Sequence, residues 1–225
     1  VSRSADTPGS SARRPREDGN ATRQKIIEVA GVLFAEHGYT ETSSKEITER
    51  AGTNIAAVNY HFGSREKLYI AVLDEVDRRL IGLDVLADLE ASSLSAVDKL
   101  ARIIDTIIGG ISDRAGWPVT LWARELLSPS PLFAVMLRDG VVPKFDILAG
   151  IVSEITGITD DRTAILQCIL NTLAPCILLA SVNRDIDTPI RELYQVSPQR
   201  LSENITVFAL AGLHAFADAY RRNGS

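Results

Sequence analysis

The feature that most constrains this chain is a helical period that runs almost without interruption from Ala21 to its end. In TRQKIIEVAGVLFAEHGY, Ile26, Ile27, Ala30, Leu33 and Phe34 fall on one stripe, and Gly38 supplies a C-terminal stop. A short helix follows, capped by Ser43 with Glu46 three residues on, and with Ile47 and Ala51 as apolar contacts. Gly52 turns the chain, and Asn54 is placed to cap a second short helix running to about Phe62. Ser64 caps a longer helix through Leu68, Val72, Leu73 and Val76 to around Leu80. Further helices are expected over about 94–111, 116–127, 130–156, 160–183 and 200–221. Gly109-Gly110, Ser128-Pro129, Gly157 and the stretch from Thr188-Pro189 to Ser197-Pro198 separate them. No segment alternates with period two, so the expected fold is all-α.

Two short helices joined by a Gly-containing turn and braced by a third make a helix-turn-helix pattern. Such a unit reads DNA only if its second short helix stays exposed on one side, so that side chains reach base edges in the major groove. In IAAVNYHF, Val58 and Phe62 share a face that can bury, which leaves Ile55, Ala56, Ala57, Asn59, Tyr60 and His61 to face outward. Methyl groups of Ile55, Ala56 and Ala57 suit thymine methyls, and Asn59 can pair with adenine through two hydrogen bonds. The bland alternative is that the same apolar set packs against another domain.

Composition bears on the choice. The net charge of −5 leans against general polyanion binding, yet leaves room for a dimer that aims a few cations at chosen phosphates. Within 21–67 the charges balance, which predicts few phosphate contacts and a shallow salt dependence. Cys168 and Cys176 are the two cysteines; on one helix they stand roughly 12 Å apart, too far for a bridge. With His37, His61 and His214 scattered, no metal site and no cofactor is expected. A reduced, cytoplasmic, soluble protein is the natural expectation. Ala164–Ala180, the most apolar stretch, contains Gln167, Asn171, Thr172 and Pro175 and reads as too short and too polar for a membrane span. Residues 1–20 are rich in Ser, Gly, Pro and charge and are expected to be disordered. Arg13, Arg14 and Arg16 make either a minor-groove arm or a plain solvated tail.

Residues Thr22–Leu73 resemble the DNA-binding domain of the TetR family nearly end to end, carried by LFAEHGY, TSSKEITERAG, NYHF and SREKLY. WARELLSPSP and a long helix with LAPCILL resemble the CecR-like branch further on. The resemblance implies a regulator that binds a palindromic operator as a homodimer, most often as a repressor, and that is released by a small molecule. It implies phosphate contacts at Thr42, Ser43, Tyr60, His61 and Arg65, and base reading at Ile55, Ala56, Ala57 and Asn59. Asn59 departs from the aromatic residue common there, which points to polar readout. An activator or a helical protein–protein adaptor on the same scaffold are the alternatives. No nucleophile elbow, phosphate loop or nucleotide fingerprint points to an enzyme.

The expected division is 1–20 as the arm, 21–67 as the helix-turn-helix domain and 68–225 as a helical effector-binding and dimerisation domain. Leu201, Ile205, Phe208, Gly212, Leu213 and Phe216 form a stripe for a four-helix dimer interface, with intrachain core as the other reading. Pro175 is expected to kink its helix. Family precedent puts an effector pocket among Trp117, Trp122, Arg124, Phe133, Met136, Phe145 and Cys176, which otherwise read as ordinary core or an ion pair with Glu125.

Overall fold

The computed structural model describes residues 14–112, 116–181 and 187–223, except for the side chains at 14–18, 112, 135, 136, 139, 140, 181 and 223. The helices are α1 (Arg14–Glu41), α2 (Ser44–Ala51), α3 (Ile55–Phe62), α4 (Arg65–Ile81), α5 (Leu83–Ala91) and α6 (Ala96–Ser112), followed by α7 (Trp117–Leu127), α8 (Phe133–Met136), α9 (Val142–Thr156), α10 (Arg162–Ser181) and α11 (Pro198–Asn223). No strand occurs among the described residues. α1 starts at Arg14, inside the segment expected to lack structure; residues 1–13, with Arg13, lie outside the described residues, as do the side chains of Arg14 and Arg16.

The three expected caps all form. Ser43 accepts from the Glu46 amide at 3.1 Å, Asn54 from Ala57 at 3.0 Å and Ser64 from Lys67 at 3.3 Å. Each satisfies an amide that has no partner within its helix. Gly38, at φ 82°, bends the end of α1, and Gly52, at φ 64°, closes α2; both are backbone states that a side chain disfavours.

Two departures from expectation have plain causes. α5 lies outside the expected helices: it is nine residues long, has Gly82 in place of a side-chain cap at its start, and buries only Leu86. The single helix expected over 130–156 is instead α8, a π-helical turn Leu137–Val141 and α9. Pro143 sits in the first turn of α9, where its missing N–H does no harm. A continuous helix would have placed it in the interior.

Among the described residues two apolar cores result. The first gathers Ile26, Leu33 and Phe34 of α1, Ile47 of α2, Val58 of α3 and Leu68, Val72 and Leu73 of α4, together with Trp117 and Leu121 of α7 and Phe133 of α8. The second joins α5, α6, α9, α10 and α11 through Leu86, Ile103, Ile104, Leu148, Ile165, Cys168 and Leu213. The packing therefore does not divide at residue 67, since α7 and α8 complete the N-terminal core.

α10 is, by length and apolarity alone, capable of crossing a membrane, contrary to the sequence reading. Here its Ala164, Ile165, Cys168, Ile169, Thr172, Cys176 and Leu179 face is buried in the protein. The helix continues through Pro175, which lies on the exposed side.

Candidate nucleic-acid interface and effector cavity

α3 is held by one face only. Val58 and Phe62 are buried against α2 and α4, while Ile55 is 50% and Tyr60 is 85% exposed. Ala56 and Asn59 are also exposed; Ala57 and His61 are half-buried, and Ala57 packs against the first core. The ring of His61 stands 5.0 Å from that of Tyr60. Ile55, Ala56, Asn59 and Tyr60 thus share an outward surface that the chain itself leaves uncovered.

Of the three other predicted contacts, one lies at the surface and two are engaged within the chain. Ser43 is exposed and accepts a bond from Glu46, which leaves its hydroxyl proton to donate outward. Thr42 is 0% exposed: its hydroxyl donates to the Gly38 and Leu33 carbonyls at 2.8 and 3.2 Å, so it ties off α1 and does not face outward. Arg65 is half-buried, with one guanidinium nitrogen donating to the carbonyls of Thr42 at 2.7 Å and Tyr39 at 3.3 Å. The guanidinium carbon also sits 4.3 Å from the centroid of the Tyr39 ring. Arg65 is first a clamp between α4 and the start of α2.

Two cations, Lys25 and Lys67, stand at the ends of α3. The Lys25 ammonium lies 3.6 Å from where a Cβ on Gly52 would stand, and Lys67 Cδ lies 3.7 Å from the same point on Gly63. Gly52 precedes α3 and Gly63 follows it, and both lysines are exposed. Their nearness to the two ends of α3 is visible only in the fold.

The N-terminal helices are tied to the rest by polar contacts. Glu75 accepts from Arg78 at 2.6 Å and from Arg79 at 2.7 Å, and Arg79 also pairs with Glu28 of α1. Trp117 Nε1 donates to Glu28 at 2.9 Å. Burial raises the pKa of both glutamates, but the bonds from Arg79 and Trp117 to Glu28, and from Arg78 and Arg79 to Glu75, outweigh it. Both carboxyls sit below their ordinary value. Arg124 donates to the Ala35 and Glu36 carbonyls at 3.2 and 2.9 Å. Buried Glu125 accepts from Tyr69 at 2.5 Å and from Ser130 at 2.9 Å; burial and this bond push the Tyr69 phenol far above its usual range.

A cavity of about 330 Å³ lies between α4, α6, α7, α9 and α10. Of the predicted pocket residues, Trp122, Phe145 and Cys176 line it. Trp117, Arg124 and Phe133 do not: the first two bind α1, as above, and Phe133 packs edge-on to Trp122 within the first core. The Met136 side chain lies outside the described residues. Among the described residues Arg124 and Glu125 form no ion pair with each other; each reaches another helix or loop. Burial raises the Cys176 thiol to about 11, which keeps it protonated. Asp77 and Lys144, which drew no notice in the sequence, also line the cavity.

Along α11, Phe208 is 85% exposed and Gly212 is exposed, whereas Leu201, Ile205 and Phe216 are half-buried against the second core. Leu213 is buried within the chain and leaves the predicted interface set. Pro175 lines a groove of about 770 Å³ between α10 and α11, on the side away from the cavity residues named above.

Residues 26–72 match the family described as bacterial regulatory proteins, tetR family. Residues 96–213, more than half of the chain, match the C-terminal domain of the HTH-type transcriptional dual regulator CecR. The chain belongs to the TetR family. Its C-terminal domain is of the CecR type, and the family is one of transcriptional regulators rather than enzymes. The HTH-type transcriptional dual regulator CecR of Shigella flexneri is 43% identical over 53 residues, covering 24% of this chain and 23% of that one. The HTH-type transcriptional repressor AcnR of Corynebacterium efficiens is 39% identical over 59 residues, covering 26% and 31%. These matches span a third or less of those relatives' own length. Among solved structures, FadR of Bacillus subtilis in complex with stearoyl-CoA superposes with a TM-score of 0.64 at 17% identity, covering 84% of this TetR-family chain and 98% of that one.

Proposed function

We propose that this TetR-family chain is a cytoplasmic repressor that binds a palindromic operator as a homodimer and releases it when a small molecule enters the cavity. The observation that carries the reading is α3, buried through Val58 and Phe62 and open through Ile55, Ala56, Asn59 and Tyr60. An exposed apolar and amide-bearing face on a short capped helix matches the chemistry of thymine methyls and adenine edges. Lys25, Lys67 and the Ser43 hydroxyl supply phosphate contacts around it.

Dimerisation is supported by a second open face. Leu166, Leu170, Ala174 and Leu178 follow one another at four-residue spacing along the exposed side of α10, and Val207, Phe208 and Gly212 are exposed on α11. Exposed apolar side chains repeated along two neighbouring helices suit an association site. Two-fold pairing of these helices makes a four-helix interface and presents two α3 helices to one operator.

α4 is the connection between the two functions. Its first turn carries Arg65, clamped to the α1–α2 junction, and its last turn borders the cavity at Asp77 and Ile81. A ligand that fits the cavity better in one position of α4 than in another shifts the separation of the reading heads. That the CecR relative is a dual regulator favours activation as the second reading.

The test is selection of genomic fragments bound by the full chain, followed by anisotropy on the selected sequence. The reading predicts an inverted repeat, bound tightly by the unaltered protein and with a relaxed base preference by Asn59→Ala. Selection of no preferred sequence would count against it.

A further inference from the structure

The effector cavity is walled by Ile103, Ile107, Trp122, Phe145, Leu148 and Leu173, and Asp77 and Lys144 are its charged lining residues among those described. Lys144 is 6% exposed, so its ammonium is withdrawn from water. It donates to Asp77 Oδ1 at 2.5 Å, to the Asp77 carbonyl at 3.4 Å and to the Ile81 carbonyl. An ammonium has three protons, and here three acceptors answer them. Two of these acceptors are backbone carbonyls in the last turn of α4, which a cation stabilises.

We infer that the effector is an uncharged, largely apolar molecule, and that anions and cations of the same size are rejected. This rests on the reading of the cavity as the effector site. Lys144 and Asp77 already neutralise each other, so an anionic ligand brings an unmatched charge into apolar surroundings and finds no spare ammonium proton. To be matched, it must strip Asp77 from Lys144. A cationic ligand must approach the carboxylate that Lys144 already holds. A neutral ligand leaves the pair intact and gains from apolar contact alone. At about 330 Å³ the cavity is at the small end of ligand pockets, which fits one aliphatic chain or a compact ring system.

The experiment is calorimetric titration of the full chain at neutral pH with decanol, decanoate and decylammonium, matched in chain length and different in charge. Decanol should bind at least tenfold more tightly than either ion. In Asp77→Asn, which keeps the shape but leaves Lys144 uncompensated, the order should invert in favour of decanoate. Ile107→Trp, which fills the cavity, should abolish decanol binding. The inference is overturned if decanoate or decylammonium equals decanol in the unaltered protein, if none of the three binds, or if decanol still binds Ile107→Trp. It is equally overturned if folded Asp77→Asn keeps the original order. Operator affinity measured in parallel separates the two readings: decanol binding in the predicted order without any change in operator affinity refutes the effector role and leaves the ligand class standing.

Discussion

At the scale of single residues, the same side chain can hold the reading head together or touch DNA, and the fold separates the two. Arg65 matches a phosphate-binding position in sequence, yet its guanidinium is engaged with the Thr42 and Tyr39 carbonyls and the Tyr39 ring. Arg65→Ala should therefore lower stability by about 1–2 kcal/mol, read by urea unfolding. A change in DNA affinity with stability untouched would refute the clamp. Lys67→Ala and Lys25→Ala should instead leave stability unchanged, weaken all DNA sequences alike and reduce the salt slope by about 1 each. Asn59→Ala should act on base preference alone. The outward set Ile55, Ala56, Asn59 and Tyr60 was legible in the sequence, because Val58 and Phe62 fix which face of an eight-residue helix is buried. Thr42 was not, because nothing in the sequence tells a threonine before an N-cap whether its hydroxyl turns inward to α1.

Among the elements, helix identities follow from period and caps, and pairings do not. Ser43, Asn54 and Ser64 announce their helices by local hydrogen bonds, which depend on neighbours in sequence. That α7 packs on α1 is settled by Gly31, where the Trp117 ring lies 2.4 Å from the place a Cβ would occupy. A glycine in mid-helix reads as a defect until its neighbour is known. Gly31→Ala should force Trp117 away and cost about 1–3 kcal/mol by overpacking, against about 0.5–1 kcal/mol recovered in helix propensity. A stability gain in urea would show that α7 does not approach so closely. The same junction should be sensitive to acid. Glu28 and Glu75 are held below their ordinary value of 4.5, so their stabilisation is complete above that value and is lost as pH falls through the lower folded values. Thermal scans from neutral pH downward should show Tm falling on the acid side, and Glu75→Gln should flatten that fall. The cavity was only half legible, for a related reason. Trp122, Phe145 and Cys176 declare themselves as bulky or apolar, whereas Lys144 and Asp77 look like solvated charge until α9 is laid against α4.

For the whole molecule, the account requires two open surfaces to act together: α3 toward the groove, and α10 with α11 toward a second copy. The chain leaves Phe208 85% and Leu170 62% exposed, apolar side chains that a second copy would cover. Phe208→Glu puts a charge at the centre of that face and should yield folded monomers. Operator binding should then fall steeply, although no residue near α3 has changed, because each head alone reads half a site. The most direct measurement is sedimentation of the full chain, unaltered and as Phe208→Glu, with and without its selected operator. The account predicts a dimer that takes up one palindrome, and a monomeric variant that fails to hold it. An unaltered chain that sediments as a monomer and still binds the full operator, or a monomeric variant with undiminished affinity, would contradict it.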